Sequence, residues 1–206
     1  MLNKLERRII DISFKNKLSH IGSCLNSVNI IDSIYAVKKK EEPFILSNGH
    51  AGLGLYVVLE KYEDKNAERL WKKHGTHPNR CLKDSIWCTT GSLGMGLSVG
   101  VGMALADRNR NVYVAISDGE CAEGSIWESL RIANDFELRN LKITCIANGF
   151  SALGKIDLDY LKNRLKAFYI VDMVRVDMSR FPDWLQGLEG HYHVITKEEY
   201  EKIICQ

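Results

Sequence analysis

The sequence lacks an excess of either charge: 28 Lys and Arg stand against 26 Asp and Glu, for a formal net charge of +2. So even a balance supplies no field that would gather nucleic acid or an anionic membrane, which excludes a basic-patch binder. Long apolar runs are absent too. Nothing approaches the ~20 residues that span a bilayer, and the opening MLNKLERRIIDIS is charged and amphipathic, without the core of a signal peptide. A cytoplasmic location is the expectation. Proline is scarce, at three residues, and no repeat, low-complexity tract or Pro-rich linker divides the 206 residues. That length fits one domain spanning 1–206. The six cysteines (Cys24, Cys81, Cys88, Cys121, Cys145, Cys205) are scattered through a chain able to bury its own core, so they read as free thiols. His74, His77, Cys81 and Cys88 can be drawn as a four-ligand zinc site. Zinc clips usually present closely spaced pairs, whereas these cysteines lie seven residues apart with a strand-like SIW between them, so zinc is not expected.

What is present is a rhythm. Leu2, Leu5, Ile9 and Ile12 recur at helical spacing and predict a helix over about 2–15. A Gly-Ser interruption at Gly22 and Ser23 precedes a second apolar stretch, from about Cys24 to Val37. After Pro43, short apolar blocks alternate with Gly-rich turns and helical stretches, the pattern of a sheet built from crossover units. The strand candidates are Phe44–Leu46, Val112–Ile116, Ile143–Ala147, Val174–Asp177 and Tyr192–Ile195. Two of them, Val112–Ile116 and Ile143–Ala147, are nearly continuous apolar runs, as strands buried on both faces should be. Helices are expected near 51–62, 94–108, 123–136, 157–168 and 197–204, the last started by a Thr196/Glu199 capping box. The fold class is therefore α/β: a doubly wound, mostly parallel sheet with helices on both faces.

Ligands of such sheets bind beyond the carboxyl ends of the strands. Two ends stand out there, Ser117-Asp118-Gly119-Glu120 and Ala147-Asn148-Gly149-Phe150. On neighbouring strands, Asp118 and Asn148 would protrude from the same edge within reach of one hard cation. Magnesium suits that set, since it takes oxygen ligands and commonly bridges to phosphate oxygens. A helix opening after Gly119 would aim free amides at the same anion. Gly94 to Val99 is a near miss to G-x-G-x-x-G, but it ends in valine and no clear strand leads into it, so a dinucleotide fingerprint is rejected.

The stretch SDGECAEGSIWESLRIANDFELRNLKITCIANG resembles the thiamine diphosphate signature of transketolases, which begins Gly-Asp-Gly and closes with an asparagine. Here Asp118 and Asn148 are thirty residues apart, and Ser117 stands in place of the first glycine. FILSNGHAGLGLY, LSHIGS, HGTHPNR and TTGSLGMGLSVGVGMALA resemble further transketolase segments in the same order, so the likeness covers roughly residues 5 to 155.

That resemblance implies a set of roles. Asp118, the Asn148 side chain and the Phe150 carbonyl would hold Mg2+ (or Ca2+), with the Gly119 and Glu120 amides near the diphosphate. His50 would contact that diphosphate, Gly91 and Leu93 would line the cofactor, and His20 and His77 would meet substrate hydroxyls. Glu123 and Glu128 match glutamates at the contact between cofactor-binding domains. In the family a second domain covers the pyrimidine and supplies the glutamate that activates the cofactor. Only 58 residues follow Asn148, which points to a separately encoded, transketolase C-terminal-like subunit, in a heterotetramer of two plus two chains. The implied reaction moves a two-carbon ketol unit from a ketose to an aldehyde. Two alternatives remain open: decarboxylation of a 2-oxo acid followed by carboligation, and a non-catalytic regulatory or binding subunit. No counterpart of the family's late histidine segment is found. His74, His191 and His193 are expected to be structural, and VRVDMSRFPDWLQGLEGHYHVIT to complete the sheet.

Overall fold

Helix α1 (Lys4–Asn16) begins where Asn3 accepts bonds from the Leu5 and Glu6 amides while Glu6 reaches back to the Asn3 N–H. This reciprocal cap satisfies donors that a helix start otherwise leaves open. The computed structural model describes residues 2–205 apart from the side chains of residues 188 and 189; the end residues of the expected 1–206 unit, Met1 and Gln206, lie outside it. Helix α2 (Ile21–Val37) starts earlier than the Gly-Ser interruption suggests. Gly22 sits inside its first turn because a Cβ there would lie 2.7 Å from the Leu185 carbonyl oxygen, so glycine serves close approach rather than helix breaking.

Strand β1 (Phe44–Leu46) leads through a 3-10 turn into α3 (Gly52–Glu63), α4 (Ala67–His74) and α5 (Met95–Ala106). Then come β2 (Val112–Ser117), α6 (Gly124–Asp135), β3 (Leu141–Ala147) and a small hairpin of β4 (Phe150–Ser151) and β5 (Gly154–Lys155). The chain closes with α7 (Leu158–Phe168), β6 (Asp172–Arg175), α8 (Gly187–Tyr192) and α9 (Lys197–Ile204). The main sheet has the order β1-β2-β3-β6, and every pair in it is parallel. The register sets Phe44 opposite Tyr113 and Ser117 opposite Ile146.

Side-chain alternation along β2 and β3 splits the core into two layers. Tyr113, Ala115 and Ile146 face α1, α2 and α3, where Ile9, Leu25, Val28 and Tyr56 are buried. Val114, Ile116, Ile143 and Cys145 face α5, α6 and α7, where Leu97, Ile126, Leu130 and Leu165 are buried. Helices thus cover both faces, as the apolar strand runs require. All six cysteines are free. Among the described residues no helix is long and apolar enough to cross a membrane.

Two expectations need correction. Tyr192–Ile195 is not a strand: Tyr192 ends α8, His193 bonds Glu199 at 2.8 Å, and Ile195 is buried in the α1–α3 layer. Its polar–apolar alternation reflects a segment crossing from solvent to core, not a pleat. The unmatched stretch adds only Val174 and Arg175 to the sheet, through β6, and its later part instead brings Gly187, His191 and Tyr192 over the carboxyl ends of the strands. Helix α4 had no sequence expectation. Ala67, Leu70, Trp71 and His74 recur at helical spacing, but over only eight residues behind a polar stretch, Glu63 to Asn66, that reads as loop; the Asn66 side chain accepts from the Arg69 amide at 2.8 Å and caps the helix.

Candidate functional site

Because the sheet is parallel, β1, β2 and β3 deliver their following residues to one side: Ser47 and Asn48, Asp118, and Asn148. The two tips singled out from the sequence do meet. The Gly149 amide donates to Asp118 Oδ2 at 2.7 Å, and the Gly119 amide donates to Oδ1 at 3.0 Å. Asn148 Oδ1 accepts from the Phe150 amide at 2.9 Å, which folds the tip into an Asx turn. The Phe150 carbonyl oxygen lies 3.6 Å from where a Cβ on Gly119 would stand, so it faces the Asp118 turn.

Asp118 is 3% exposed. Burial pushes its carboxyl upward, against hydrogen bonds from the Gly149 and Gly119 amides that hold it down. A carboxylate short of water but still rich in lone pairs is stabilised by a cation, and oxygen donors from Asn148 and Phe150 suit a hard one.

A cavity of about 410 Å³ lies over these tips. That volume accommodates a cofactor-sized ligand. His20, His50, His77, Gly91, Leu93 and Glu123 line it together with Asp118, Gly119, Asn148 and Phe150. Gly91 has φ +147°, and a Cβ there would come within 3.4 Å of the His77 ring, so glycine lets the turn pass beside that imidazole.

His20 reaches the cavity from a left-handed backbone, φ 63°, at the start of α2. Such a conformation costs roughly 1–2 kcal/mol for a non-glycine residue and persists only where its surroundings enforce it. Here the His20 amide donates to the His191 carbonyl at 2.8 Å, and Ser19 Oγ lies 2.8 Å from His20 Nδ1. Burial first, then the neighbouring His191 and His77, push His20 down to about 4. Burial followed by His191, His20 and His77 pushes His50 down to about 3. Both rings are therefore neutral at pH 7, each able to donate from one nitrogen and accept at the other.

Two expected contributors lie elsewhere. Glu128 projects from the outer face of α6 and bonds Arg131 at 2.6 Å, apart from the cavity. Glu120 is fully buried behind it: Oε1 accepts from Ser47 Oγ at 2.6 Å and the Gly94 amide at 2.8 Å, while Oε2 accepts from the Ser117 amide at 2.9 Å. It staples three loops that frame the site, and burial raises its carboxyl despite those donors. The expected free amides are also engaged, since the Gly119 amide bonds Asp118 and the Glu120 amide bonds Ser117 Oγ at 3.3 Å. A 3-10 turn, Gly119–Ala122, follows Asp118, and α6 opens only at Gly124.

Three contributors escaped sequence reasoning. His191 lines the cavity from α8, with its ring centroid 4.3 Å from that of His20 and 5.2 Å from that of His50. Nothing local distinguishes it from His193, which bonds Glu199 outside the cavity. Asn26 and Asn48 also line the cavity, and each carries a buried Oδ1 that accepts no bond among the described residues. An unmet buried acceptor costs about 1–3 kcal/mol, so a ligand's N–H or O–H placed there would relieve it. Asn48 had one available signal, its place two residues after the end of β1 and two residues before His50.

A family profile described as "Transketolase, thiamine diphosphate binding domain" matches residues 10–174. The chain is 31% identical over 189 residues to an apulose-4-phosphate transketolase subunit of Phocaeicola vulgatus, covering 80% of this chain and 67% of that one. It is 32% identical over 210 residues to the 6-deoxy-6-sulfo-D-fructose transketolase subunit SqwG of Clostridium sp. strain MSTE9, covering 92% and 73%. The structure resembles a transketolase from Leishmania mexicana with a TM-score of 0.66 at 20% identity, over 84% of this chain and 35% of that one. This chain thus spans about a third of the Leishmania enzyme and roughly two thirds to three quarters of the two named subunits.

Proposed function

Because the chain belongs to the transketolase thiamine diphosphate-binding domain family, we propose that residues 1–206 act as one domain holding the diphosphate and metal end of the cofactor, and that a second chain completes the active site. The reaction of the pair is transfer of a two-carbon ketol unit from a ketose to an aldehyde. The observation that carries this reading is the meeting of Asp118 and Asn148 on adjacent parallel strands, joined through the Gly149 amide at 2.7 Å, beneath a cavity lined by four histidines.

Asp118, Asn148 and the Phe150 carbonyl would hold Mg2+ or Ca2+ through oxygen, that ion would offset the charge of the diphosphate, and the neutral His50 ring would donate a hydrogen bond to that diphosphate. Thiamine diphosphate, when bound, would supply the carbanion chemistry that ketol transfer needs. His20 and His77 bind hydroxyls of the sugar, and a neutral His20 can pass a proton to or from oxygen within a water-poor cleft. The unmet acceptors of Asn26 and Asn48 orient donors on the ligand. Glu123 lies at the cavity edge and is available for contact with a neighbouring domain.

A separate pyrimidine-binding subunit is supported by the two relatives whose names call them subunits. Helix α5 adds to that support: no charged residue occurs over Met95–Ala106, and Met95, Val99 and Leu105 are exposed. An apolar helix face left in water marks a surface for protein contact. One relative's name carries a sugar phosphate and the other's a sulfo sugar, which supports a sugar with an anionic substituent as the substrate class of the pair.

Calorimetry with thiamine diphosphate and Mg2+, on the chain alone and mixed with a transketolase C-terminal-like subunit, tests the proposal, followed by a ketol-transfer assay of the mixture. Metal-dependent heat and turnover in the mixture are expected. Absence of heat in both titrations overturns it.

A further inference from the structure

The segment between α4 and Gly91 carries His77 into the cavity, and its outer side holds a group of side chains that the cavity does not use. His74, the last residue of α4, is buried, and its Nε2 lies 2.8 Å from Asp84 Oδ2. Cys81 and Ile86 exchange backbone bonds at 2.9 and 3.1 Å, which closes a small loop around the 3-10 turn Leu82–Asp84. This loop folds Asp84 back beside Cys81. One donor atom from each of His74, Cys81 and Asp84 lies within 4.8 Å of the other two.

Tetrahedral zinc with one sulfur, one imidazole nitrogen and one carboxylate oxygen needs donors roughly 3.3–3.8 Å apart, given metal–ligand bonds of ~2.0–2.3 Å. Small side-chain rotations close that gap. The Lys73 ammonium currently bonds Asp84 and lies 3.5 Å from Cys81 Sγ, so the group already holds a cation. The Lys73 side chain is 53% exposed and can swing into solvent when a divalent ion takes its place. The Tyr56 hydroxyl donates to the Gly75 carbonyl at 3.1 Å and fixes the backbone next to His74.

The four-residue set drawn from the sequence fails for a visible reason: His77 faces the cavity and Cys88 is buried against α5. Asp84, with no cysteine or histidine spacing to announce it, takes their place. We propose that His74, Cys81 and Asp84 form a site for one zinc-class divalent ion, with water in the fourth position, that staples the loop carrying His77. The proposal is independent of the thiamine diphosphate reading.

The test is titration of the metal-stripped, tag-free chain with Co2+, following the thiolate-to-cobalt charge-transfer band, with Zn2+ as competitor. Saturation at one equivalent is expected, with the band lost in Cys81→Ser, kept in Cys88→Ser and Asp118→Ala, and shifted to at least about tenfold higher Co2+ in Asp84→Asn. Lys73→Met should tighten binding, because it removes the competing cation. Zn2+ should also raise the Tm of the parent chain and leave that of Cys81→Ser unchanged. A Cys81→Ser chain that misfolds is replaced by Asp84→Asn and Lys73→Met, whose opposite shifts carry the test. Absence of the band in the parent chain, a band that survives in folded Cys81→Ser, or shifts of one sign in the last two variants overturns the proposal.

Discussion

Of two cavities that the described residues form against the sheet, the larger is the poorer in chemistry. About 710 Å³ opens near the amino ends of β3 and β6, walled by Ile34, Val37, Tyr113, Leu141, Tyr169 and Ile170 with a few charges at its rim. The smaller cavity, about 410 Å³, lies over the carboxyl ends and gathers four histidines, Asp118 and three asparagines. Volume therefore does not mark the site. In a parallel sheet the loops leaving the carboxyl ends are free to vary in sequence while the strands fix where they start, so polar groups from distant segments converge there. Ile170 at the other end is 87% exposed and bonds no candidate residue, which is what an unfinished edge of the sheet looks like.

That contrast is open to direct attack, beginning with the largest effect. Asp118→Ala should weaken metal-dependent thiamine diphosphate binding by at least about 100-fold in calorimetry, more than the loss typical of outer-shell partners. Ile170→Ser, in the larger cavity, should leave the same titration unchanged. Equal effects of the two would erase the distinction.

Glu120→Ala tests whether the loops around the smaller cavity depend on one buried carboxylate. It strips the acceptor from Ser47 Oγ and from the Gly94 and Ser117 amides. A loss of about 3 kcal/mol follows from leaving several buried donors unmet, a Tm drop of roughly 6–12 °C for a chain of this size. A drop under about 2 °C by calorimetric melting would show that the loops hold themselves.

His191→Ala removes the contributor that arrives from α8 and should weaken cofactor binding about tenfold, the worth of a hydrogen bond to a charged ligand. His193→Ala, two residues on and bonded to Glu199, should not change it.

The smallest effect concerns protons. His50 and His20 have folded-state midpoints of about 3 and about 4, both below the ordinary 6.5. Depressed midpoints mean that the two rings favour the folded state fully above pH ~6.5 and lose that contribution as pH falls toward 4 and then 3. Ring-proton NMR should therefore show no titration of either residue between pH 8 and about 5.5. A midpoint near 6.5 for His50 would place its ring in water rather than in the cavity wall.

Much of this was legible without coordinates wherever the signal was local. The apolar runs at β2 and β3 announce buried parallel strands, and β1 and α9 occur at their expected bounds, Phe44–Leu46 and Lys197–Ile204. Gly22 misled because a glycine placed for close packing looks like one placed to break a helix. Glu120 misled in another way. Its position in the motif suggested an amide facing the ligand, but its carboxylate turns inward to Ser47, Gly94 and Ser117.

The sequence alone determined the parallel α/β plan and the pairing of Asp118 with Asn148, because apolar periodicity and strand-end turns are written in consecutive residues and a parallel sheet brings successive strand ends together. Only the tertiary structure decided that His191 joins His20 and His50 while His193 does not, and that Asp84 stands beside His74 and Cys81. Those choices depend on how α8 packs against α2 and how one short loop folds back. Such contacts, between residues as far apart as 20 and 191, leave no periodic trace for the chain to display.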